Sequence, residues 1–513
     1  MKIEMRRLSK GLMLLFIFVL ITACSQNTSN GGKNESTASN APQQTATQSN
    51  ETIDSSSSEL EFVELSYFFP YTEQIEQSMV FDELNKQLKE KINAKVNFYP
   101  VPWNDYDQKM QVKIAAGESF DIMFTSNWMN NYYLNIANEA LLPLDDLLAK
   151  HAPNTLALLP QMVWDGTKVN NAIYGVPNQQ IMARQPGFVY DRALVEKYQF
   201  DVQSVKKLSD VTPFLQKALE SEPETETVGL VGKMNFGDMF PYFNWEDIGG
   251  VGVVGAVDIT DAGLKVFNQF ESTEFVDFAN TRRQWNEQGY IPKDLLTSTT
   301  FNSKKVIFSV AATVKPGLDE ELKRANGKDF EIQPLGDALL TTSSIVATMN
   351  GISSTSSNPE RAMMFIELMN TDKEFYNLFL YGIEGKHYIK LSDDRIERAE
   401  GTRYRPGNEW AYGNTFNAHL TPGLSDNVWI DTQKLNNESK RSPLMGFVFD
   451  VEPVKAEITN SQAVFSEFHP MISAGISADV DGILKQFHEK LKAAGADKII
   501  EEKQRQIDAF LNK

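Results

Sequence analysis

The chain has 513 residues, with 49 basic against 68 acidic side chains, a formal net charge of −19, 11% aromatic residues and one cysteine. So acidic a surface is unsuited to nucleic acid or to an anionic lipid face, and a single thiol excludes an intrachain disulfide. A chain this long needs a large core and divides into more than one lobe.

The first element is a leader. Lys2, Arg6, Arg7 and Lys10 precede the apolar run "GLMLLFIFVLI" from Gly11 to Ile21, about half of the ~20 residues that a membrane-spanning helix needs. Basic, then apolar, then small residues read as a secretory signal over residues 1–23. The leader runs into "LITAC", Leu20 to Cys24, which holds the one cysteine. An apolar residue, Ser or Thr, Ala or Gly, then Cys resembles the bacterial lipobox. That resemblance implies a diacylglycerol thioether on Cys24, cleavage just before it, and contact with the bilayer through the acyl anchor only. Loss of the leader leaves 45 basic against 67 acidic residues, a net charge of about −22.

Residues 24–58 contain almost no apolar side chain larger than alanine apart from Ile53. Such a composition cannot offset the entropy of ordering, so after the anchored Cys24 a disordered tether is expected, with a reach of roughly 30 Å.

From residue 59 the pattern changes. "VELSYFF", Val63 to Phe69, reads as a strand. "MVFDELNKQLKEKI" places Val80, Leu84, Leu88 and Ile92 on one helical face. "AKVNFYPV" is a second strand. Asn104 is placed to cap a helix through Met110 and Ile114 that Gly117 ends, and "FDIMF", Phe120 to Phe124, is a third strand. Strands alternating with helices imply a parallel sheet covered by helices. The style repeats in "YGVPNQQ", in "GFVYDRALVEKYQFD", in "VIFSVAATVKPG" and in "SSIVATMNGISS", before one long helix in "NPERAMMFIELMNTDKEFYNLFLYG".

Taken in order, "FDIMFTSNW" with "ALLPLDDLL", then "AIYGVPN", then "GISSTSSNPERAMMFIELM" resemble the extracellular solute-binding proteins of bacterial ABC importers, of the sugar-binder type. "YGIEGKHY", "NEWAYGNTFNAHL" and "SPLMGFVFDVEPVKAEI" further resemble the LipO-like lipoproteins, a branch with its own C-terminal region. The resemblance implies an α/β, two-lobed Venus-flytrap fold, each lobe a mostly parallel sheet flanked by helices, with crossovers between them. It divides the body into residues 59–180 with about 308–352 as the N-terminal lobe, residues 181–307 with about 353–440 as the C-terminal lobe, and a helical region from about 441 to 513.

It also implies a function: a monomeric receptor on the outer face of a Gram-positive cell membrane, binding an oligosaccharide between the lobes and delivering it to permease subunits and their ATPase. No cofactor is expected.

Ligands of open α/β sheets sit beyond the carboxyl ends of the strands. Those positions hold Tyr71, Trp103, Ser126, Asn127 and Trp128, with Asn178 and Gln180 beyond "YGVP" and Trp245 and Trp410 as candidates elsewhere. Rings beside amides and hydroxyls suit a sugar, whose C–H face packs on an aromatic and whose hydroxyls need donors and acceptors. Arg184 and Lys315, if they face the cleft, favour an acidic saccharide, because Arg pairs with carboxylates bidentately.

Two alternatives are a peptide receptor of the same fold and an anchored glycoside hydrolase. The hydrolase needs paired carboxylates, for which Glu246 with Asp247, or Glu384 with Glu409, are the nominees. The five histidines have no paired metal spacing. "DVDG", Asp479 to Gly482, puts His488 where a calcium loop needs a Glu, so Asp481 reads as a turn or capping residue.

Overall fold

A computed structural model of the chain describes residues 60–512, apart from 222–233, 251, 293–294, 297–305 and 478. The signal, Cys24 and the tether lie outside the described residues.

β1 (Val63–Pro70), α1 (Gln77–Ile92), β2 (Ala94–Val101), α2 (Tyr106–Ala115) and β3 (Ile122–Thr125) follow the expected alternation. Val80, Leu84, Leu88 and Ile92 are the four buried positions of α1, each contributing roughly 1.5–3 kcal/mol of burial. α1 ends at Asn93 in the left-handed region, φ 43°, which asparagine tolerates. The cap of α2 differs from expectation: the N-cap position is Asp105, whose side chain makes no capping bond, and not Asn104.

β1 pairs in parallel with β2 and β3. Strand Met349–Ile352 then adds antiparallel to β3, and Val176–Pro177 adds antiparallel to it, giving a five-stranded sheet. Met349 lies opposite Thr125, so the turn that enters this late strand sits at the same edge as the carboxyl ends of β1, β2 and β3.

The second lobe has a smaller sheet. Strand Gly187–Asp191 lies between Phe308–Ala311 and Phe330–Pro334, and both pairings are antiparallel, where a mostly parallel sheet was expected. Beside it, Trp245–Asp247, Ala256–Asp258 and Val266–Phe267 form an antiparallel meander.

The division of the chain also departs from the reading by resemblance. Strands Phe308–Ala311 and Phe330–Pro334 belong to the second lobe. The segment 353–440 contributes mainly to the first lobe, because Phe365, Phe379 and Tyr412 pack their rings against Tyr67 and Phe69 of β1. The long helix divides into Pro359–Thr371 and Lys373–Tyr381, because Asp372 closes one and caps the next by accepting from Phe375 N at 3.0 Å. The C-terminal region joins the second lobe. Phe468, Ile472, Leu484 and Phe487 enter its main core, while Ile499 and Ile507 pack with Val257 and Val266 of the meander. Its "DVDG" turn is a helix cap, but the capping side chain is Asp479, which accepts from Gly482 N at 2.9 Å, with Asp481 in the first turn.

Three segments cross between the lobes and pair with each other. Arg184 and Leu339 exchange two backbone hydrogen bonds of 2.8 Å. Leu339 and Leu340 pair in parallel with Lys440 and Arg441. Asn436 pins the first crossing: its Oδ1 accepts from Met182 N at 2.8 Å and Ala183 N at 3.0 Å, and its Nδ2 donates to Gln180 O at 2.7 Å. This narrow ribbon is the hinge.

Candidate functional site

Three tryptophans from distant parts of the chain converge at the carboxyl edge of the first lobe's sheet. Trp103 follows β2, Trp128 follows β3, and Trp410 lies in a short 3-10 turn, Glu409–Ala411. The Trp103 and Trp128 rings are nearly coplanar in orientation, 5° apart with centroids 6.4 Å apart. Trp410 lies 5.4 Å from Trp103 and 6.3 Å from Trp128. Trp410 is delivered to this edge because its neighbours are tied down. The Tyr412 hydroxyl donates to Pro70 O at the end of β1, at 2.8 Å, and Asn178 Nδ2 donates to Ala411 O, also at 2.8 Å.

Trp128 is 46% exposed, and its indole N–H donates to Ala347 O at 2.8 Å, fixing the ring against the turn before Met349. Asn127 Nδ2 holds the short helix before that turn, Thr342–Ile345, donating to Ser343 O at 3.0 Å and Ser343 Oγ at 2.6 Å. Gln180 Nε2 donates to Thr348 Oγ1 at 3.1 Å. Asn127 Oδ1, Trp103 Nε1 and Gln179 Nε2 are sheltered and have no protein partner. The result is a half-open aromatic surface.

The other expected ligand residues have structural tasks. Ser126 is fully buried, and its hydroxyl donates to Met129 O while accepting from the Trp128 and Met129 amides. Asn178 is 1% exposed and its Oδ1 accepts from Asn350 and from Gly413 N. Tyr71 is buried among Phe69, Phe81, Phe379 and Tyr412. Trp245 is a core residue of the second lobe, ringed by Phe236, Phe240, Phe243 and Phe267.

Neither cation is free. Lys315 lies 2.7 Å from Glu321, and Arg184 lies 3.8 Å from Asp238. Desolvation raises the Asp238 carboxyl above its ordinary range, with Arg184 pulling the other way.

Two of the nominated carboxylates are already engaged within the fold. Glu246 is 3% exposed and accepts from Ser442 Oγ, and burial pushes its carboxyl up to about 8. Glu384 pairs with Lys390 at 3.4 Å. No cluster of three metal-ligating side chains occurs among the described residues.

Sequence reasoning missed most of the second-lobe residues that border the hinge. Asn235, Asp238, Phe465 and His469 surround a cavity there, together with Arg184 and with Asp247, which enters the sequence reading only as a hydrolase nominee. The run "GGVGVVG", Gly249 to Gly255, was the available signal, since closely spaced glycines mark a backbone approached by other groups.

Two α/β lobes, a hinge of three paired crossings and an aromatic surface at the hinge-side edge define a two-lobed binding protein. Comparison with known proteins specifies the class. Residues 71–374 match the family described as bacterial extracellular solute-binding protein, and residues 443–512 match a domain of unknown function, DUF3502. A carbohydrate ABC transporter substrate-binding protein of Streptococcus pneumoniae is 30% identical over 438 residues, covering 83% of this chain and 87% of the relative.

The chain belongs to the bacterial extracellular solute-binding proteins. The crystal structure of the N-glycan transport solute binding protein NgtS from Streptococcus pneumoniae superposes with a TM-score of 0.77 at 28% identity, over 88% of this chain and 100% of that one. Structures of NgtS with Man1GlcNAc and Man5GlcNAc also match. The polygalacturonan/rhamnogalacturonan-binding protein YtcQ of Bacillus subtilis is 20% identical over 339 residues, 62% of this chain and 66% of the relative.

Proposed function

We propose that this chain is the lipid-anchored receptor of an ABC importer, that it binds a neutral oligosaccharide between its lobes, and that it hands the sugar to the permease. The observation that carries this reading is the convergence of Trp103, Trp128 and Trp410 on one half-open face. Flat rings accept the C–H face of a pyranose. The carbohydrate class named for the Streptococcus pneumoniae relatives supports the same cargo. Neutrality follows from the two candidate cations, each of which already faces a carboxylate within 3.8 Å.

Cys24, in its lipobox-like setting, is the anchor point on the extracytoplasmic face of a Gram-positive membrane, and the stretch after it is the tether. The partners are then the permease and its ATPase. The chain carries no chemistry on its ligand.

The test is calorimetric titration and thermal unfolding against Man5GlcNAc, a galacturonan oligomer and a short peptide. A ligand that binds only the folded state raises the melting temperature as ln(1 + [L]/Kd). A shift with Man5GlcNAc alone supports the reading. A shift with the galacturonan alone replaces neutral by acidic cargo, and a shift with the peptide alone refutes the sugar receptor.

A further inference from the structure

The second lobe carries a cavity of about 80 Å³ against the hinge. At roughly 10–15 Å³ for each water, it has room for about six waters, comparable to one sugar ring. Arg184, on the first crossing, forms its hinge side. Asn235, Asp238 and Asp247 supply polar groups, and Phe465 and His469 come from helix Lys455–Ser473. Those last two residues belong to the region whose family match carries no function.

Phe465 and His469 are one helical turn apart and stack face to face, 4.4 Å between centroids at 24°. Burial pulls the His469 imidazole down to about 4, so the ring is uncharged at neutral pH and extends the apolar wall. Its Nε2 lies 3.1 Å from Ser473 Oγ.

The facing backbone is shaped by the same C-terminal region. Gly252 has φ +79°, and a Cβ there would lie 2.6 Å from the Phe465 ring. Gly255 has φ +107°, and a Cβ there would lie 2.8 Å from the Lys503 stem. Lys503, on the terminal helix Ala496–Leu511, is fully buried and donates to the carbonyls of Ile248, Val254 and Gly255. Its ammonium therefore staples the glycine-rich backbone between the meander strands, next to the cavity.

We propose that the C-terminal region, residues 443–512, builds a second sugar subsite in this cavity: one neutral sugar residue lies against the edge of the Phe465 ring that borders the cavity and hydrogen-bonds to Asn235, Asp247 and the Arg184–Asp238 pair. The proposal rests on the receptor reading. It adds that a chain seated on the tryptophans of the first lobe is read by the second lobe as well, and that longer glycans bind more tightly for this reason.

The experiment compares two ligand lengths on the full chain in detergent micelles. The Kd for Man1GlcNAc divided by that for Man5GlcNAc measures the contribution of the distal residues. In the wild type this ratio exceeds one. In Phe465→Ala and in Asp247→Asn it falls about tenfold, the size of one lost apolar or hydrogen-bonded contact, whereas Trp128→Ala weakens both ligands together. Asp247→Asn keeps the side-chain volume and decides the matter if Phe465→Ala does not fold. An unchanged ratio in the folded variants overturns the subsite and leaves the receptor intact. Failure of the wild type to bind either glycan overturns the neutral-glycan cargo of the receptor reading, and the subsite with it.

Discussion

Replacing Trp128 by alanine removes the most open ring of the platform. Trp128 is 46% exposed, and of the roughly 150–250 Å² that a buried aromatic covers, on the order of 100 Å² is available to a ligand. At about 25 cal/mol per Å² this is worth about 2.5 kcal/mol, a rise of roughly 50-fold in Kd. The fold should lose much less. The indole makes one hydrogen bond, to Ala347 O at an exposed position, so a cost of about 1 kcal/mol is expected. Calorimetric titration with Man5GlcNAc reads the first quantity and urea unfolding without ligand reads the second. A Kd within threefold of wild type, with the protein demonstrably folded, would refute the claim that sugar packs on this ring.

The remaining predictions concern polar groups tied into the fold. Glu246 is raised to about 8, so the folded state holds a proton that the unfolded chain releases above about pH 4.5. Its contribution to stability is greatest at low pH and is lost as pH rises toward 8, by about 3 kcal/mol between pH 5 and pH 7.5. Buried His419 and His469, both pulled down to about 4, have the opposite slope below about pH 6.5. The wild-type curve minus that of Glu246→Gln in urea unfolding isolates the carboxyl, and a flat difference would show that Glu246 is ionised in the fold. Lys503→Met strands three carbonyls under the terminal helix and should cost about 3 kcal/mol or more in the same assay; a variant as stable as wild type would remove the staple. Asn436→Ala breaks three hydrogen bonds to the first crossing, with a stability loss of roughly 1–3 kcal/mol, and should change the radius of gyration measured by small-angle scattering without ligand. No change in that radius would mean the clip does not set the lobe angle.

The elements of the first lobe were legible because the burial pattern is local: Val80, Leu84, Leu88 and Ile92 mark the buried face of α1 without reference to anything else. The lobe boundaries were not legible, because membership depends on long-range packing. Phe365 and Phe379 are apolar enough for either core, and only their fit against Tyr67 and Phe69 assigns them to the first lobe. The site was half legible for a related reason. Each tryptophan could be singled out by its position after a strand or in a polar turn, yet nothing near Trp103 announces a ring 307 residues downstream, whose place depends on the bonds from Tyr412 and Asn178. Polar residues at strand ends misled, because Ser126 and Asn178 spend their hydrogen bonds on the loops that carry the site.

The hinge explains why a platform in one lobe is not sufficient. A ligand shifts the populations of open and closed forms only by its differential affinity for them. Contacts to Trp103, Trp128 and Trp410 alone are the same in both forms and shift nothing, however strong they are. Closure requires groups carried by the other lobe, which a rotation about the paired segments at Arg184, Leu339 and Lys440 brings to the ligand. The cavity beside Arg184 meets that requirement and draws two of its wall residues from the C-terminal region. A glycan too short to span from the tryptophans to Phe465 would then bind without closing the lobes, so recognition by the permease would depend on sugar length even where occupancy does not.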